Sequence, residues 1–342
     1  MGNNWRIDEV AETAISWTEF SWNPLRARDK ETGKVGHFCE KTSRGCAFCY
    51  SSEFQKRFGM PEFPGEGKRK TLPMVGDAQP VNDRLEVFLD EKVLRQPLGW
   101  KKQRKVFVCS MTDLFGWWVS DKWLDQVFAV MALTPQHTYQ VLTKRAERLL
   151  DYLTRKMGPN ARLNGNNWLE NAPRAACMMT AEAKIIRREQ YGDLYLPCFP
   201  FPLPNVWLGV SAEDKRRWKE RVSLLRKTPA AIRFVSVEPL LEDLGDVMED
   251  LRGNPIPCPD GEPGCEVLHF GPPIDQLIIG GESGSRRRPF DIAWAESLRR
   301  QCRSAGVAYF FKQDSAHRPG QQGRASDELW NTKEFPCQAE SI

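Results

Sequence analysis

The sequence has no long hydrophobic run and no strong excess of charge of one sign. No stretch of its 342 residues approaches the roughly 20 consecutive apolar residues that a membrane-spanning helix needs. The N-terminal segment MGNNWRIDEVAETAISW lacks the basic start and apolar run of a signal peptide. We therefore expect a cytoplasmic protein that has no membrane partner.

The formal net charge is only +4, which allows a nucleic-acid partner without requiring one. Basic residues are concentrated in three short clusters, at 68–70, 101–105 and 285–288. Such clusters are usually solvated surface, and they form a phosphate-binding footprint only where they lie together on one face. Charge alone therefore does not decide the partner.

Short runs rich in β-branched and aromatic residues alternate along the chain with helical patterns. The predicted strands lie in the segments 105–113, 138–145, 205–214, 232–239, 276–284 and 308–314. Amphipathic helices are predicted between them, one after Ser120 and one from Asp291 as N-cap to Gly306 as the closing glycine. This alternation predicts parallel strands with crossover helices, in either a barrel or an open doubly wound sheet.

The polar residues at the strand ends favour the barrel. In a β/α barrel all strand ends meet at one mouth, whereas an open sheet distributes them along an edge. The hydrophobic content of 41% can fill one large core. We predict a single α/β domain over 1–342, a partial (β/α) barrel with rim insertions at 151–204 and 254–273 and a C-terminal tail at 314–342. We expect the first insertion, which ends in a proline-dense segment, to fold over the rim.

Three cysteines lie close together in the motif CEKTSRGCAFC. Cys39 is followed by Cys46 after six residues and by Cys49 after two more, whereas the next cysteine, Cys109, lies sixty residues further on. Three thiolates from one loop can hold three irons of a [4Fe-4S] cluster and leave the fourth iron open. The alternatives are a zinc site that His37 completes and three thiols without a metal.

A second group of metal-ligating residues lies in the insertion at 254–273. Cys258, Cys265 and His269 are short of the four ligands of a zinc knuckle unless Cys337 or an acidic group joins them. We therefore expect a plain loop there rather than a zinc site.

Segments spread over nearly the whole chain resemble a known family. They are ISWTEFSWNP, CEKTSRGCAFCY, YQVLTKR, NVWLGVSAED, RFVSVEPLL, LIIGGESGSRRRPFD and AYFFKQ. In these motifs the chain is similar to the phage-associated three-cysteine-motif family of unknown function, which resembles radical S-adenosylmethionine (SAM) proteins. The resemblance implies a partial barrel of the radical SAM type and a [4Fe-4S] cluster on Cys39, Cys46 and Cys49. It also implies bound SAM, an external electron donor and, for a phage-encoded protein, the host cytoplasm.

This chain departs from the family pattern in two places. Fourteen residues, 25–38, separate the WNP motif from the first cysteine, where the family often has only a few, and the segment 151–204 is long.

The resemblance and the strand ends together suggest roles for single residues. Phe48 matches the aromatic residue that radical SAM loops place beside the adenine. Glu282 is expected to accept a hydrogen bond from the SAM ammonium, with Gly280 and Gly281 allowing close approach, unless these glycines only form a tight turn. The alternative acceptors for the ammonium or the ribose hydroxyls are Ser211, Glu213 and Glu238.

The remaining strand-end groups are assigned to the substrate and to catalysis. Lys144 and Lys312 are the catalytic candidates. The expected substrate-binding residues are Asp113, Arg145, Arg286, Arg287 and Arg288, whose charges suit a carboxylate or a phosphate. The tryptophans Trp17, Trp22, Trp117, Trp118 and Trp207 are expected mostly in the core, with one or two stacking on a base.

Cationic groups at a wide mouth favour a nucleotide base, free or within DNA, as the substrate. We predict a radical SAM enzyme that rearranges or functionalises a hypermodified pyrimidine of phage DNA, since radical chemistry breaks unactivated C–H bonds. A nucleic-acid repair lyase is a related alternative. The alternative from another class is a non-catalytic zinc or Fe-S protein that binds nucleic acid.

Overall fold

The computed structural model describes residues 13–65, 78–156, 162–163, 167–168, 174–191, 199–253, 255–256, 269–270 and 273–336. The strands in this part of the chain are β1 (Phe20–Trp22), β2 (Leu25–Asp29), β3 (Val35–Gly36), β4 (Ala78–Pro80), β5 (Leu85–Leu89), β6 (Lys105–Val108), β7 (Thr138–Thr143), β8 (Arg162–Leu163), β9 (Asn167–Trp168), β10 (Val206–Ser211), β11 (Ile232–Val237), β12 (Pro255–Ile256), β13 (His269–Phe270), β14 (Gln276–Gly280) and β15 (Ala308–Gln313). The α-helices are α1 (Tyr50–Arg57), α2 (Glu91–Leu94), α3 (Asp121–Leu133), α4 (Ala146–Thr154), α5 (Arg174–Tyr191), α6 (Lys215–Lys227), α7 (Met248–Arg252), α8 (Ile292–Ala305) and α9 (Asp327–Asn331). Short 3-10 helices span Arg44–Cys46 and Gln96–Gly99.

Seven strands form one parallel sheet in the order β1-β6-β7-β10-β11-β14-β15. The sheet curls into a half-barrel, and crossover helices pack on its outer side. The predicted α/β architecture is therefore confirmed as a mixed α/β fold. The sequence pattern misses β1, which has only three residues and pairs with β6.

Successive residues of each strand point to opposite faces of the sheet. One aromatic or aliphatic residue from each of five strands meets Trp17 in an inner core; these residues are Phe107, Trp207, Phe234, Ile278 and Phe310. Their strand neighbours, such as Val106 and Val235, pack in a larger core between the sheet and the helices, the outer core. At Gly209 a Cβ would lie 2.6 Å from the Phe234 ring, so only glycine leaves room for that ring. The inner core fills the concave side of the sheet below the strand ends.

The two helices with clear boundary signals form where the sequence predicts them. Ser120 accepts a hydrogen bond from the Trp123 N–H at the start of α3. Asp291 accepts one from the Ala293 N–H at the start of α8, and Gly306 ends this helix with φ 72°. These caps satisfy backbone groups that the helix ends leave without partners.

The tryptophans occupy the core, as predicted. Trp22 and Trp118 lie in the outer core, Trp17 and Trp207 lie in the inner core, and Trp117 is partly buried against the outer core. Trp17 also reaches the pocket described below.

A small antiparallel sheet, in the order β3-β2-β5-β4, lies between β1 and β6 in the sequence. The residues that separate the WNP motif from Cys39 form β2 and β3 of this sheet. The extra residues between the WNP motif and Cys39 thus form a β-hairpin.

The described part of the 151–204 insertion is mainly α5, which packs against α3 and α4. This part extends the outer helical layer instead of forming a loop over the rim. The described prolines from 200 to 204 lie outside helices and strands, as expected. Within the tail, α9 packs beside β15 and the Phe311 N–H donates to the Thr332 carbonyl.

Several predicted features lie outside the described residues. They are the basic cluster 68–70, the thiols of Cys258, Cys265 and Cys337, and the side chain of His269. In the described ranges, no helix is both long enough and apolar enough to cross a membrane.

Candidate functional site

A pocket of about 570 Å³ opens at the C-terminal ends of the parallel strands. The strand-end groups that line it include Thr143, Lys144, Arg145, Ser211, Ser236, Glu238, Glu282 and Lys312. The motif with Cys39, Cys46 and Cys49 and the beginning of α1 line the same pocket. The structure therefore brings the three cysteines and most of the predicted site residues to one place.

The alternation of the strands explains which residues enter the pocket. Ser236 follows the inner-core residue Phe234 by two positions, and Lys312 follows Phe310 by two positions. An even separation keeps a side chain on the same face of the sheet. The polar residue at each strand end therefore points into the mouth, above the apolar residues of the same strand.

The cysteine motif is fastened to the strand ends by hydrogen bonds. The Gly45 N–H donates to Glu213 Oε1 at 3.1 Å, and the Thr112 hydroxyl donates to the Phe38 carbonyl. At the start of α1 the Ser51 hydroxyl donates to the Met111 carbonyl at 2.7 Å. The motif is therefore held over the mouth by contacts to the loop after β6 and to the end of β10.

The three thiols are free and differ in their tendency to ionise. Burial raises the pKa of the Cys39 and Cys49 thiols. Burial also opposes ionisation of Cys46, but the Lys144 ammonium and hydrogen bonds, including one from the Ser43 hydroxyl, bring the pKa of this thiol below its ordinary value. Cys46 therefore becomes a thiolate most easily.

Among the residues that the structure describes, no group of three or more His, Cys, Asp or Glu side chains is arranged to hold a metal ion. His37, the predicted fourth ligand of a zinc site, has its Nδ1 3.0 Å from the Leu25 carbonyl and does not line the pocket. Three free thiols from one motif in one pocket nevertheless match the donor chemistry of an iron-sulfur cluster.

Glu213 is fully buried and its carboxylate is already paired. Its Oε2 lies 3.1 Å from Arg221 Nη1 and 3.6 Å from Lys144 Nζ. Burial opposes ionisation, but these two cations outweigh it and lower the pKa of Glu213 to about 2. Glu213 thus secures Gly45 and Lys144, and Lys144 also donates to the Ser211 hydroxyl at 2.6 Å.

The other two carboxylates assigned to SAM have different partners. Glu282 accepts hydrogen bonds from the backbone and guanidinium of Arg288, so its charge is neutralised within its own loop. Glu238 Oε1 lies 3.1 Å from Lys312 Nζ, without the alignment of a hydrogen bond, and has no hydrogen-bond partner among the described residues. Glu238 is thus paired with the Lys312 ammonium, and its Oε2 accepts a hydrogen bond from the Ser236 hydroxyl at 3.2 Å.

Asp113 and Arg145 form a buried pair at 2.8 Å. Asp113 also accepts hydrogen bonds from the Thr143 hydroxyl and the Lys144 N–H, which join the loop after β6 to the end of β7, and from the Phe115 N–H of its own loop. Despite burial, Arg145 and these donors lower the pKa of Asp113. Arg145 Nη2 faces Glu40 Oε2 at 3.6 Å, and neither atom has a hydrogen-bond partner in the described structure.

The glycines after β14 serve close packing between neighbouring strand ends. A Cβ on Gly281 would lie 2.5 Å from the backbone N of Ser315, and one on Gly280 would lie 2.8 Å from Glu238 Oε1. In the same loop, the guanidinium groups of Arg286 and Arg288 lie over the Phe48 ring, at 4.9 Å and 5.4 Å from its centroid. Arg287 donates to the carbonyl of residue 284.

Sequence reasoning missed some residues of the site. Arg221 lies in the middle of α6 and Glu40 lies inside the cysteine motif, where no local pattern marks them as partners of Glu213 and Arg145. Cys109 lines the pocket with φ 57°, a conformation that residues with side chains rarely adopt and that often marks functional sites.

The fold and the pocket define a mixed α/β protein whose curled parallel sheet carries thiols and charged strand-end groups at its mouth. Residues 12–334 match the family described as "Protein of unknown function (DUF5131)", and the chain belongs to this family. No curated protein and no solved structure matches the chain. The similarity to phage proteins and to radical SAM proteins stays a prediction.

Proposed function

We propose that this protein is a radical SAM enzyme whose cluster is held by Cys39, Cys46 and Cys49. The observation that carries the proposal is that three free thiols of one motif line the same pocket as the polar ends of the parallel strands. In this proposal the half-barrel is of the radical SAM type. When bound, a [4Fe-4S] cluster supplies one electron to the SAM sulfonium, which releases methionine and a 5′-deoxyadenosyl radical. The reaction needs an external electron donor.

The protein's own groups bind and orient SAM in this proposal. Glu238 accepts a hydrogen bond from the SAM ammonium, since Glu213 and Glu282 are each paired with an arginine, whereas Glu238 is paired with the Lys312 ammonium. Lys144 favours the thiolate form of Cys46, which metal binding requires.

The substrate in this proposal is a nucleotide base, and the reaction is a rearrangement or functionalisation of a modified pyrimidine. The pocket volume of about 570 Å³ lies within the range of small-molecule binding sites. Lys312 lines the pocket, and Arg286, which lies over the ring of the pocket-lining Phe48, adds positive charge at its edge for a phosphate.

Iron and sulfide analysis of anaerobically reconstituted protein tests the proposal. We expect about four irons per chain and formation of 5′-deoxyadenosine from SAM when a reductant is added. Cys39→Ala, Cys46→Ala and Cys49→Ala should each lose the cluster. Cys302→Ala is the matched control, because Cys302 is a free, buried cysteine in α8 that does not line the pocket. Stoichiometric zinc without sulfide in protein from iron-replete cells would contradict the proposal and favour a non-catalytic zinc protein.

A further inference from the structure

Helix α1 and its C-cap residue, Phe58, carry a row of exposed aromatic side chains at the edge of the pocket. Tyr50, Phe54 and Phe58 follow each other at intervals of four residues, so they lie along one side of the helix. Their exposed fractions are 54%, 48% and 58%, and the ring centroids of Phe54 and Phe58 are 4.6 Å apart. Aromatic side chains are mostly buried in folded proteins, and a contiguous exposed group marks a binding surface.

Cations surround this aromatic row. Lys56 and Arg57 are exposed on the same helix, and Arg286 and Arg287 are exposed on the loop after β14. The one acidic residue of α1, Glu53, is paired with Arg286. A second carboxylate nearby, Glu62, is paired with Lys41 and also interacts with Lys56 and Arg286. The cations still outnumber the two carboxylates, and the surface suits a polyanion.

The row continues into the pocket. Tyr50, Phe54 and Arg57 line the pocket as well as the outer surface, and so does Phe48, whose ring lies under Arg286. A polymer that lies along the row therefore passes the mouth where the cysteine motif is located.

We propose that the aromatic row of α1 binds the unpaired bases of a single-stranded nucleic acid, with Arg286 and Arg287 on its phosphates. Bases stack on aromatic side chains regardless of sequence, while nearby cations follow the backbone. In a duplex the bases face each other inside the helix, and their flat sides cannot reach the rings. The inference rests on the proposed function for the type of substrate and adds the form in which the polymer is bound.

Fluorescence anisotropy with a labelled oligothymidylate of about 15 nucleotides tests this inference, with a duplex of equal length for comparison. We expect the single strand to bind at least about tenfold more tightly than the duplex. Phe54→Ala and Phe58→Ala should each raise the Kd for the single strand by about fivefold or more, because each removes a stacking surface. Phe54→Trp should retain the affinity. Ile185→Ala is the matched control, since Ile185 is an equally exposed apolar residue (51%) on α5.

Duplex binding as tight as single-strand binding, or an unchanged Kd in both phenylalanine variants, would overturn the inference. Sedimentation velocity supplies a second check. A dimer that either phenylalanine substitution converts to monomer would show that a second copy of the chain covers the row, and this also overturns it. The binding assay needs neither iron nor SAM, so a missing cluster would refute the proposed reaction without changing this result.

Discussion

Replacement of Glu213 by Gln should destabilise the protein by about 3 kcal/mol near neutral pH. The pKa of this carboxyl falls from 4.5 to about 2 on folding, and each unit corresponds to about 1.36 kcal/mol, so the ionised form favours the folded state by about 3 kcal/mol. The variant also leaves the buried Arg221 guanidinium and Lys144 without their anion, and breaking a buried pair typically costs about 3 to 5 kcal/mol. The loss of stability derived from the pKa therefore agrees with the cost of breaking a buried pair.

The pH dependence gives the prediction a second, independent signature. Because the folded-state pKa is depressed, the contribution is complete above pH 4.5, the unfolded value, and is lost as the pH falls toward 2. At about pH 3 the ionised carboxylate retains about 1.4 kcal/mol, which is less than half of its value at pH 7. The stability difference between the native protein and the Glu213→Gln variant should therefore narrow by about 2 kcal/mol between these two pH values.

Urea unfolding, followed by tryptophan fluorescence and by circular dichroism, measures this difference, and coincidence of the two signals checks two-state behaviour. Glu220→Gln is the matched control, because Glu220 also pairs with arginines of α6 but is 43% exposed. Exposed pairs contribute at most about 1 kcal/mol. The reasoning is refuted if the two variants lose equal stability or if the loss at Glu213 does not change with pH.

Three further predictions concern SAM, the strand-end packing and the basic clusters. Glu238→Gln should weaken SAM binding by about 1.5 to 3 kcal/mol in calorimetry, since a charge-assisted hydrogen bond is removed, and unchanged affinity in folded protein would assign the ammonium elsewhere. Gly281→Ala should lower the free energy of unfolding by about 1 to 3 kcal/mol, because its Cβ would meet backbone 2.5 Å away, whereas Gly99→Ala, with nothing within 4 Å, should not. Neutralising residues 286–287 should weaken single-strand binding and flatten its salt slope by about 0.7 for each phosphate that the protein no longer neutralises. Neutralising residues 101–102, which precede β6, should have little effect on this binding. Equal effects of the two changes would contradict the docking of the nucleic acid at the mouth.

Local sequence signals predicted much of the fold. The six longer parallel strands and the boundaries of α3 and α8 depend on neighbouring residues: alternating or continuous apolar runs, a capping side chain and a closing glycine. β1 has three residues and acquires its role only by pairing with β6, so no local pattern reveals it. α5 lies in the 151–204 segment, which was expected to fold over the rim, and its packing on α3 and α4 stabilises the helix there.

The candidate site was likewise predictable from the sequence only in part. The order of residues along the chain already shows that Cys39, Cys46 and Cys49 share one motif and that charged groups follow the strands, because these facts concern near neighbours. It could not distinguish Glu213, Glu238 and Glu282, which are equivalent as strand-end carboxylates. The folded structure separates them: Glu213 is buried between Arg221 and Lys144, Glu238 is paired with Lys312 and Glu282 is bound to Arg288. Ion pairing and burial depend on distances in space. Chain folding sets these distances, and they cannot be read from the separation of the residues in the sequence.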